Sequence, residues 1–232
     1  MRVDLVRRAQ HFLLVIMGVG LAAGLFSGWQ SARSGSGPAW LNKLAGPPQT
    51  LTGQHIGIIS GHMGYDTGTV CADGLTEASV NRGIADLVVS GLKRRGAEVD
   101  LLNEYDDRLW GYQADAFISI HADSCQSDFS GYKVASLTGG GAASAALEQC
   151  IWRSYEAATG LPRHVGTITD DMREYHAFHQ VTPSTPAAII ETGFLNADRR
   201  LLTEQRDLAA AGIIAGIECF IAPKPAATAT PH

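Results

Sequence analysis

Short apolar runs and helical hydrophobic repeats alternate along most of the chain. Apolar runs of a few residues, bounded by glycine or polar residues, are typical of buried strands, whereas apolar positions three or four residues apart are typical of helices. The runs predict strands at 55–60, 98–102, 116–120, 131–137 and 187–191. The repeats predict helices over residues 80–92, 143–158 and 208–220. This alternation predicts an α/β fold, with a mixed, largely parallel central sheet flanked by helices.

The first 29 residues have the pattern of an export or membrane segment. Arg2, Arg7 and Arg8 precede an uncharged stretch from Phe12 to Trp29. A basic start followed by an apolar core is typical of an export signal, and this stretch is also long enough for a membrane-spanning helix. The arginines orient the N-terminus toward the cytoplasm, so the rest of the chain is predicted to be exported. A signal anchor is favoured over a cleaved signal peptide because no clear cleavage site follows.

Composition divides the rest of the chain into three parts. Residues 30–52 are rich in Ser, Gly and Pro, which predicts a linker. Residues 53–222 carry the alternating pattern of a single folded domain, and residues 223–232 form a predicted flexible tail rich in Pro, Ala and Thr. The chain is 45% hydrophobic and 18% charged, which excludes a mainly disordered protein. Its net charge of -5 argues against binding to nucleic acid through many phosphate contacts.

Side chains suited to catalysis or metal binding collect at the ends of predicted strands. His62 follows the first strand, His121 follows the third, Glu191 ends the fifth, and Glu77 opens the first helix. Sites in open α/β sheets form beyond the carboxyl ends of strands, so we expect these side chains to converge. Two imidazoles and a carboxylate are a typical zinc shell with one position left for water, and a second carboxylate then serves as general base. A histidine at a strand end is also commonly an ordinary surface residue, so the pattern alone leaves both interpretations open.

Several segments taken together resemble one enzyme family. They are GIISGHMGYDTG at 57–68, Glu77 with the helix behind it, RRGAEVDLL at 94–102, ADAFISIHAD at 114–123 and PAAIIETGFLN at 186–196. In their order and spacing they resemble the zinc-dependent N-acetylmuramoyl-L-alanine amidases of peptidoglycan. The resemblance extends over essentially all of residues 55–220.

The resemblance implies a function and a set of site residues. It implies that His62, Glu77 and His121 hold one zinc ion per chain, and that Glu191 is the catalytic glutamate. The implied reaction is hydrolysis of the amide between N-acetylmuramic acid and L-alanine, so the partners are the glycan strand and stem peptide of peptidoglycan. We then expect an extracytoplasmic monomer, attached to the cytoplasmic membrane by its N-terminal helix. The alternative is a membrane-tethered, non-catalytic peptidoglycan-binding domain, but all four catalytic positions are filled, which favours the enzyme.

Two positions depart from the pattern of this family. The usual Asp-Pro-Gly-His opening is Ser60-Gly61-His62 here, so the family's acid and proline are missing, which weakens a supporting role for this position and leaves Ser60 as a candidate to orient the imidazole. Where relatives often carry Asn-Arg, this chain has Pro162-Arg163, and Arg163 is a candidate substrate contact.

Two of the four cysteines lie close in sequence to the candidate ligands. Cys71 lies between His62 and Glu77, and Cys125 lies four residues after His121. A disulfide between them would join the two loops that carry ligands, whereas a shell of both cysteines with both histidines would be a closed, structural zinc site. An exported domain favours the disulfide, since such a compartment oxidises thiols.

The remaining cysteines and a group of histidines are interpreted as structural. Cys150 and Cys219 lie on apolar helix faces and are predicted to be buried thiols. His164, His176 and His179 lie in a polar stretch, which is interpreted as a solvated loop at the lip of the substrate groove.

Overall fold

The computed structural model describes residues 50–222. The predicted signal segment 1–29, nearly all of the linker 30–52 and the tail 223–232 lie outside the described residues. Within residues 50–222, no helix combines the length and the apolar character that crossing a bilayer requires.

The described residues form one five-stranded sheet that is parallel except at one edge. The strand order is β2-β1-β3-β5-β4, and β4 alone runs antiparallel to its neighbour. The strands are β1 (His55–Ser60), β2 (Glu98–Leu102), β3 (Ala116–Asp123), β4 (Lys133–Ala135) and β5 (Ala187–Phe194). The carboxyl ends of β1, β2, β3 and β5 therefore meet along the same edge of the sheet. This arrangement confirms the predicted α/β fold.

Three long helices cover one face of the sheet. The described residues form five α-helices in all: α1 (Glu77–Arg94), α2 (Gly141–Thr159), α3 (Asp170–Arg173), α4 (Arg199–Glu204) and α5 (Arg206–Ile221). The longest three, α1, α2 and α5, enclose the larger core, and α5 packs between the other two. In α1 the buried positions Val80, Ile84, Val88 and Leu92 recur at the spacing of one helical face.

The opposite face of the sheet is covered by a short, irregular layer. Single turns at Val165–Thr167 and His176–His179 flank α3 in this layer. Its apolar side chains, including Met172 and Phe178, pack with Phe117 of β3 in a second core. Strand alternation directs every second residue of β3 and β5 toward this layer.

The structure lengthens two strands beyond their predicted ends. β3 continues to Asp123 and β5 to Phe194, so His121 and Glu191 lie within paired strands. The predicted strands ended early because polar residues interrupt the apolar runs at the point where the site begins. β4 is shorter than predicted, and the sequence analysis missed α4, which is only six residues long.

Candidate metal centre and active site

Two imidazoles and a carboxylate converge at the carboxyl edge of the sheet. Glu77 Oε1 lies 3.1 Å from His62 Nε2 and 3.2 Å from His121 Nδ1. Ligand atoms from all three residues lie within 4.8 Å of one another, which makes the three a group that could hold a metal ion. The expected convergence of these side chains is therefore present in the structure.

Each of these side chains is positioned by a different local device. His62 follows β1 in a turn where its own backbone has φ 65°, a left-handed conformation that is uncommon outside glycine. Its Nδ1 lies 2.5 Å from Asp66 Oδ1, which leaves Nε2 facing Glu77. Glu77 is the first residue of α1, where the Thr76 side chain accepts a hydrogen bond from the backbone of Ser79 and caps the helix.

The ring of His121 approaches the end of β1 so closely that only glycine fits there. A Cβ at Gly61 would lie 2.5 Å from His121 Cε1. His121 itself is 7% exposed, and its ring lies edge-on to Tyr175 at 5.7 Å between centroids. Gly61 thus lets a buried imidazole lie between β1 and the layer beyond the sheet.

The carboxylate of Glu77 controls the charge of the cluster. Its hydrogen bond with His62 raises the pKa of that imidazole to about 8, against the opposing effect of burial. Burial lowers the pKa of His121, but the nearby carboxylates of Glu104 and Glu77 outweigh burial and raise this pKa to about 10. Burial also raises the pKa of Glu77, yet the two imidazoles more than reverse this and hold it below its usual range. The surroundings that attract protons to both imidazoles also favour a divalent cation.

Glu191 lies beside this cluster without a partner of its own. It pairs in sheet register with His121 on β3 and with Lys133 on β4. Its Oε2 is buried and has no hydrogen-bond partner among the described residues. Burial raises the pKa of Glu191 to about 7, with a smaller contribution from the charge of Glu77. The positive charges of His121 and Lys133 oppose that shift. A carboxyl group with a pKa near neutrality is suited to accept and donate a proton.

Glu104, which the sequence analysis missed, is a further carboxylate at the site, in addition to Asp66, Glu77 and Glu191. It follows β2 by two residues and is 5% exposed. It lies at this edge because β2 runs parallel to β1, with Leu102 opposite Ile59. The strand-end rule that selected His62 could also have selected Glu104. The surrounding polar loop gave no reason to separate it from exposed acidic residues.

The expected role of Ser60 is wrong. Its Oγ is buried and has no hydrogen-bond partner among the described residues, so it does not orient His62. The backbone N–H of His62 instead donates a hydrogen bond to Glu104 Oε2 at 2.7 Å.

Arg163, the candidate substrate contact, makes its contacts with other residues than the candidate ligands. Its Nε donates to Glu156 Oε2 at 3.0 Å, and its guanidinium lies 5.5 Å from the ring centroid of Trp152. The structure therefore gives Arg163 partners on α2 and does not bring it to the candidate ligands.

The three histidines assigned to a solvated loop differ from one another. His179 is exposed and pairs with Glu174, as expected of such a loop. His164 is half-buried and lies 2.7 Å from Thr167 Oγ1 through its Nδ1. His176 does not fit the interpretation, because its Nε2 lies 2.8 Å from the buried Glu104 Oε1.

All four cysteines form disulfides. Cys71 is joined to Cys125, which links the loop between His62 and Glu77 to the segment after β3. This bond occupies both sulfurs, so the closed shell of two cysteines and two histidines is absent from the structure. Cys150 of α2 is joined to Cys219 of α5, so the prediction of two buried thiols is wrong. The two helix faces pack together and bring the Cα atoms of these cysteines to 5.7 Å.

The fold and the site together define a class of enzyme. A group able to hold a metal ion, next to a half-buried carboxyl group with a pKa near neutrality, is the arrangement of hydrolases that activate water beside a metal. The chain belongs to the N-acetylmuramoyl-L-alanine amidase family, whose model matches residues 56–219. It is thus a hydrolase of the amide bond between N-acetylmuramic acid and L-alanine in peptidoglycan, which confirms the family and the reaction that the sequence implied.

Solved amidase structures share this fold. The CwlD amidase from Clostridioides difficile, solved in complex with the GerS lipoprotein, is 20% identical with a TM-score of 0.60, over 72% of this chain and 98% of that one. The catalytic domain of CwlV from Bacillus (Paenibacillus) polymyxa var. colistinus is 26% identical with a TM-score of 0.55, over 71% of this chain and 96% of that one. The N-acetylmuramyl-L-alanine amidase of Mycobacterium smegmatis is 19% identical with a TM-score of 0.57, over 74% of this chain and 98% of that one. No curated protein matches the sequence.

Proposed function

We propose that this amidase is zinc-dependent, with His62, Glu77 and His121 as the ligands of one zinc ion and Glu191 as the general base. The observation that carries the proposal is the convergence of these three side chains, with their ligand atoms within 4.8 Å of one another. Two imidazoles and one carboxylate are a ligand set used by catalytic zinc sites, which keep a fourth position open.

The residues around the cluster fit a metal ion. Asp66 holds His62 Nδ1, which leaves Nε2 directed at the shared oxygen of Glu77. A second nitrogen held by a carboxylate is typical of histidines that ligate metals. When bound, zinc polarises the amide carbonyl, makes the attacking water more acidic and stabilises the charge that develops on the carbonyl oxygen.

Glu191 moves the proton that the reaction requires. Its ionised carboxylate accepts a proton from the water that forms the new C–O bond. The same group then donates this proton to the amine of L-alanine as the C–N bond breaks. A pKa near 7 makes both transfers accessible at neutral pH, because neither protonation state is strongly preferred.

The pH dependence of the reaction follows from this role. Glu191 must be ionised to accept a proton, so activity should rise as pH rises through its pKa. Burial raises that pKa from 4.5 to about 7, and the charge of a bound cation lowers it from there. We expect the acidic limb of kcat/KM, measured at saturating zinc, to have its midpoint between these two values. A profile that stays flat across this range would contradict the assignment.

Product analysis tests the proposed function directly. The zinc-loaded protein is incubated with purified sacculi, and the soluble products are identified by mass spectrometry. We expect stem peptides with a free L-alanine amine, no release in the presence of a chelator, and recovery when zinc is added back. A non-catalytic peptidoglycan-binding domain would retain wall material and release no stem peptide.

The substrate also bears on where the protein acts. Peptidoglycan lies outside the cytoplasmic membrane, and the basic and apolar pattern of residues 1–29 is that of a signal anchor. In this proposal, residues 30–52 connect the anchor to a monomeric catalytic domain held close to the wall. Attachment raises the local concentration of enzyme at its substrate.

A further inference from the structure

Glu104 is surrounded by groups that donate hydrogen bonds. Its Oε2 accepts the backbone N–H of His62 at 2.7 Å and lies 3.4 Å from His121 Nε2. Its Oε1 accepts the hydroxyl of Tyr175 at 2.6 Å and lies 2.8 Å from His176 Nε2. One buried carboxylate thus contacts the backbone of His62, the ring of His121 and the layer beyond the sheet.

These contacts bear on the orientation of the His121 ring and on the backbone conformation of His62. Carboxylate oxygens lie near both ring nitrogens of His121. Glu77 Oε1 lies 3.2 Å from Nδ1, and Glu104 Oε2 lies 3.4 Å from Nε2, which is an ion-pair contact because Nε2 makes no hydrogen bond among the described residues. His62 lies in a left-handed backbone conformation, which costs free energy for a residue with a Cβ. The hydrogen bond from its N–H to Glu104 favours that conformation.

No neighbouring residue on β1 performs this task. Ser60, the residue before Gly61, has a buried hydroxyl with no partner among residues 50–222. Glu104 also donates its own backbone N–H to the carbonyl oxygen of Met63 at 3.0 Å, so the loop after β2 is bonded to the turn that carries His62 in two places.

We propose that Glu104 is a positioning residue that holds His62 and His121 in the orientation required for metal binding. This inference rests on the proposed function, because it takes both histidines as metal ligands. Glu104 takes no part in bond breaking. It acts through the backbone of one ligand and the second ring nitrogen of the other, as carboxylates behind ligating histidines do in other metal sites.

The Glu104→Gln variant tests this role. An ionised carboxylate only accepts hydrogen bonds, whereas an amide has one accepting oxygen and one donating nitrogen. In the glutamine variant, the amide N–H₂ replaces one accepting oxygen and therefore points at a group that itself donates a hydrogen bond. This mismatch disturbs the orientation of the ligands with little change in side-chain volume. We expect zinc affinity, measured by competition with a chelator, to fall about 10- to 100-fold. We also expect the visible spectrum of the Co²⁺-substituted protein to change.

Glu148→Gln is the matched control, because Glu148 also accepts two side-chain hydrogen bonds, from Ser136 and Trp152. This variant should leave both zinc affinity and the Co²⁺ spectrum unchanged.

The outcomes separate this inference from the proposed function. If the wild-type chain binds neither Zn²⁺ nor Co²⁺, the proposed function fails. If the wild type binds both and Glu104→Gln binds them with unchanged affinity and spectrum, the positioning role is overturned. If Glu104→Gln does not fold, Tyr175→Phe replaces it, since this change removes one donor to Glu104 and keeps the aromatic ring that lies edge-on to His121. Weakened zinc affinity in Tyr175→Phe supports the role, and wild-type affinity overturns it.

Discussion

Replacing Glu191 by glutamine is expected to lower kcat for stem-peptide release by about 10²- to 10⁴-fold, the contribution typical of general acid–base catalysis. Glutamine has nearly the same shape but cannot exchange a proton at neutral pH. Because Glu191 is separate from the three candidate ligands, the zinc content of the variant should equal that of the wild type. Product mass spectrometry and metal analysis on the same sample measure both effects. Loss of zinc with full activity per bound ion would reverse the assigned role.

The stability of the metal-free protein gives an independent check on Glu191. Its pKa in the folded protein is about 7, above the ordinary 4.5, so between these values the folded state binds more protons than the unfolded state. Its contribution to the free energy of unfolding therefore decreases as pH rises through this window. Glutamine removes that decrease, so the variant should gain stability relative to the wild type between about pH 5 and about pH 8 in denaturant titrations. Glu174→Gln, at an exposed carboxylate paired with His179, should show no such gain.

Replacing His121 by alanine is expected to abolish both zinc binding and turnover. The change removes one of the two nitrogen donors and leaves Glu77 with one imidazole in place of two. Two protein ligands fall short of the three that catalytic zinc sites use. Metal analysis after gel filtration should find no retained zinc, and the digestion of sacculi should fall to the level seen with chelator.

A matched variant distinguishes this effect from a general loss of histidine. His179→Ala removes an imidazole that is exposed and whose ion pair is with Glu174, so zinc content and activity should match the wild type. Stoichiometric zinc in His121→Ala would show that this histidine is not a ligand. Because His121 is 7% exposed, the free energy of unfolding is measured alongside, so that a folding defect is recognised.

The sequence predicted the order of strands and long helices better than their ends. Buried strands and one-sided helices leave strong patterns because their apolar residues recur at fixed spacing. At the carboxyl ends of β3 and β5 this pattern fails, since His121 and Glu191 continue the strands with polar side chains. Polar site residues thus take the place of apolar ones where the strands reach the site.

Site residues differed in how well the sequence could find them. His62, His121 and Glu191 follow from the strand-end rule and from the resemblance to the amidase family. Glu104 follows β2 as His62 follows β1, but only the coordinates distinguish it from the other acidic residues of its polar loop, because they show it buried among hydrogen-bond donors. Similarly, the bond between Cys150 and Cys219 depends on how two helices pack, and residues 69 apart in sequence carry no signal of that distance.

The bond between Cys150 and Cys219 also affects how the domain resists degradation. α5 packs against α2, and single helices can detach locally before the rest of a domain unfolds. A covalent link to α2 makes such detachment of α5 depend on opening the helical layer as a whole. Proteases that cut transiently opened segments would then encounter far fewer susceptible molecules. That protection is acquired only in an oxidising compartment, where the bond forms.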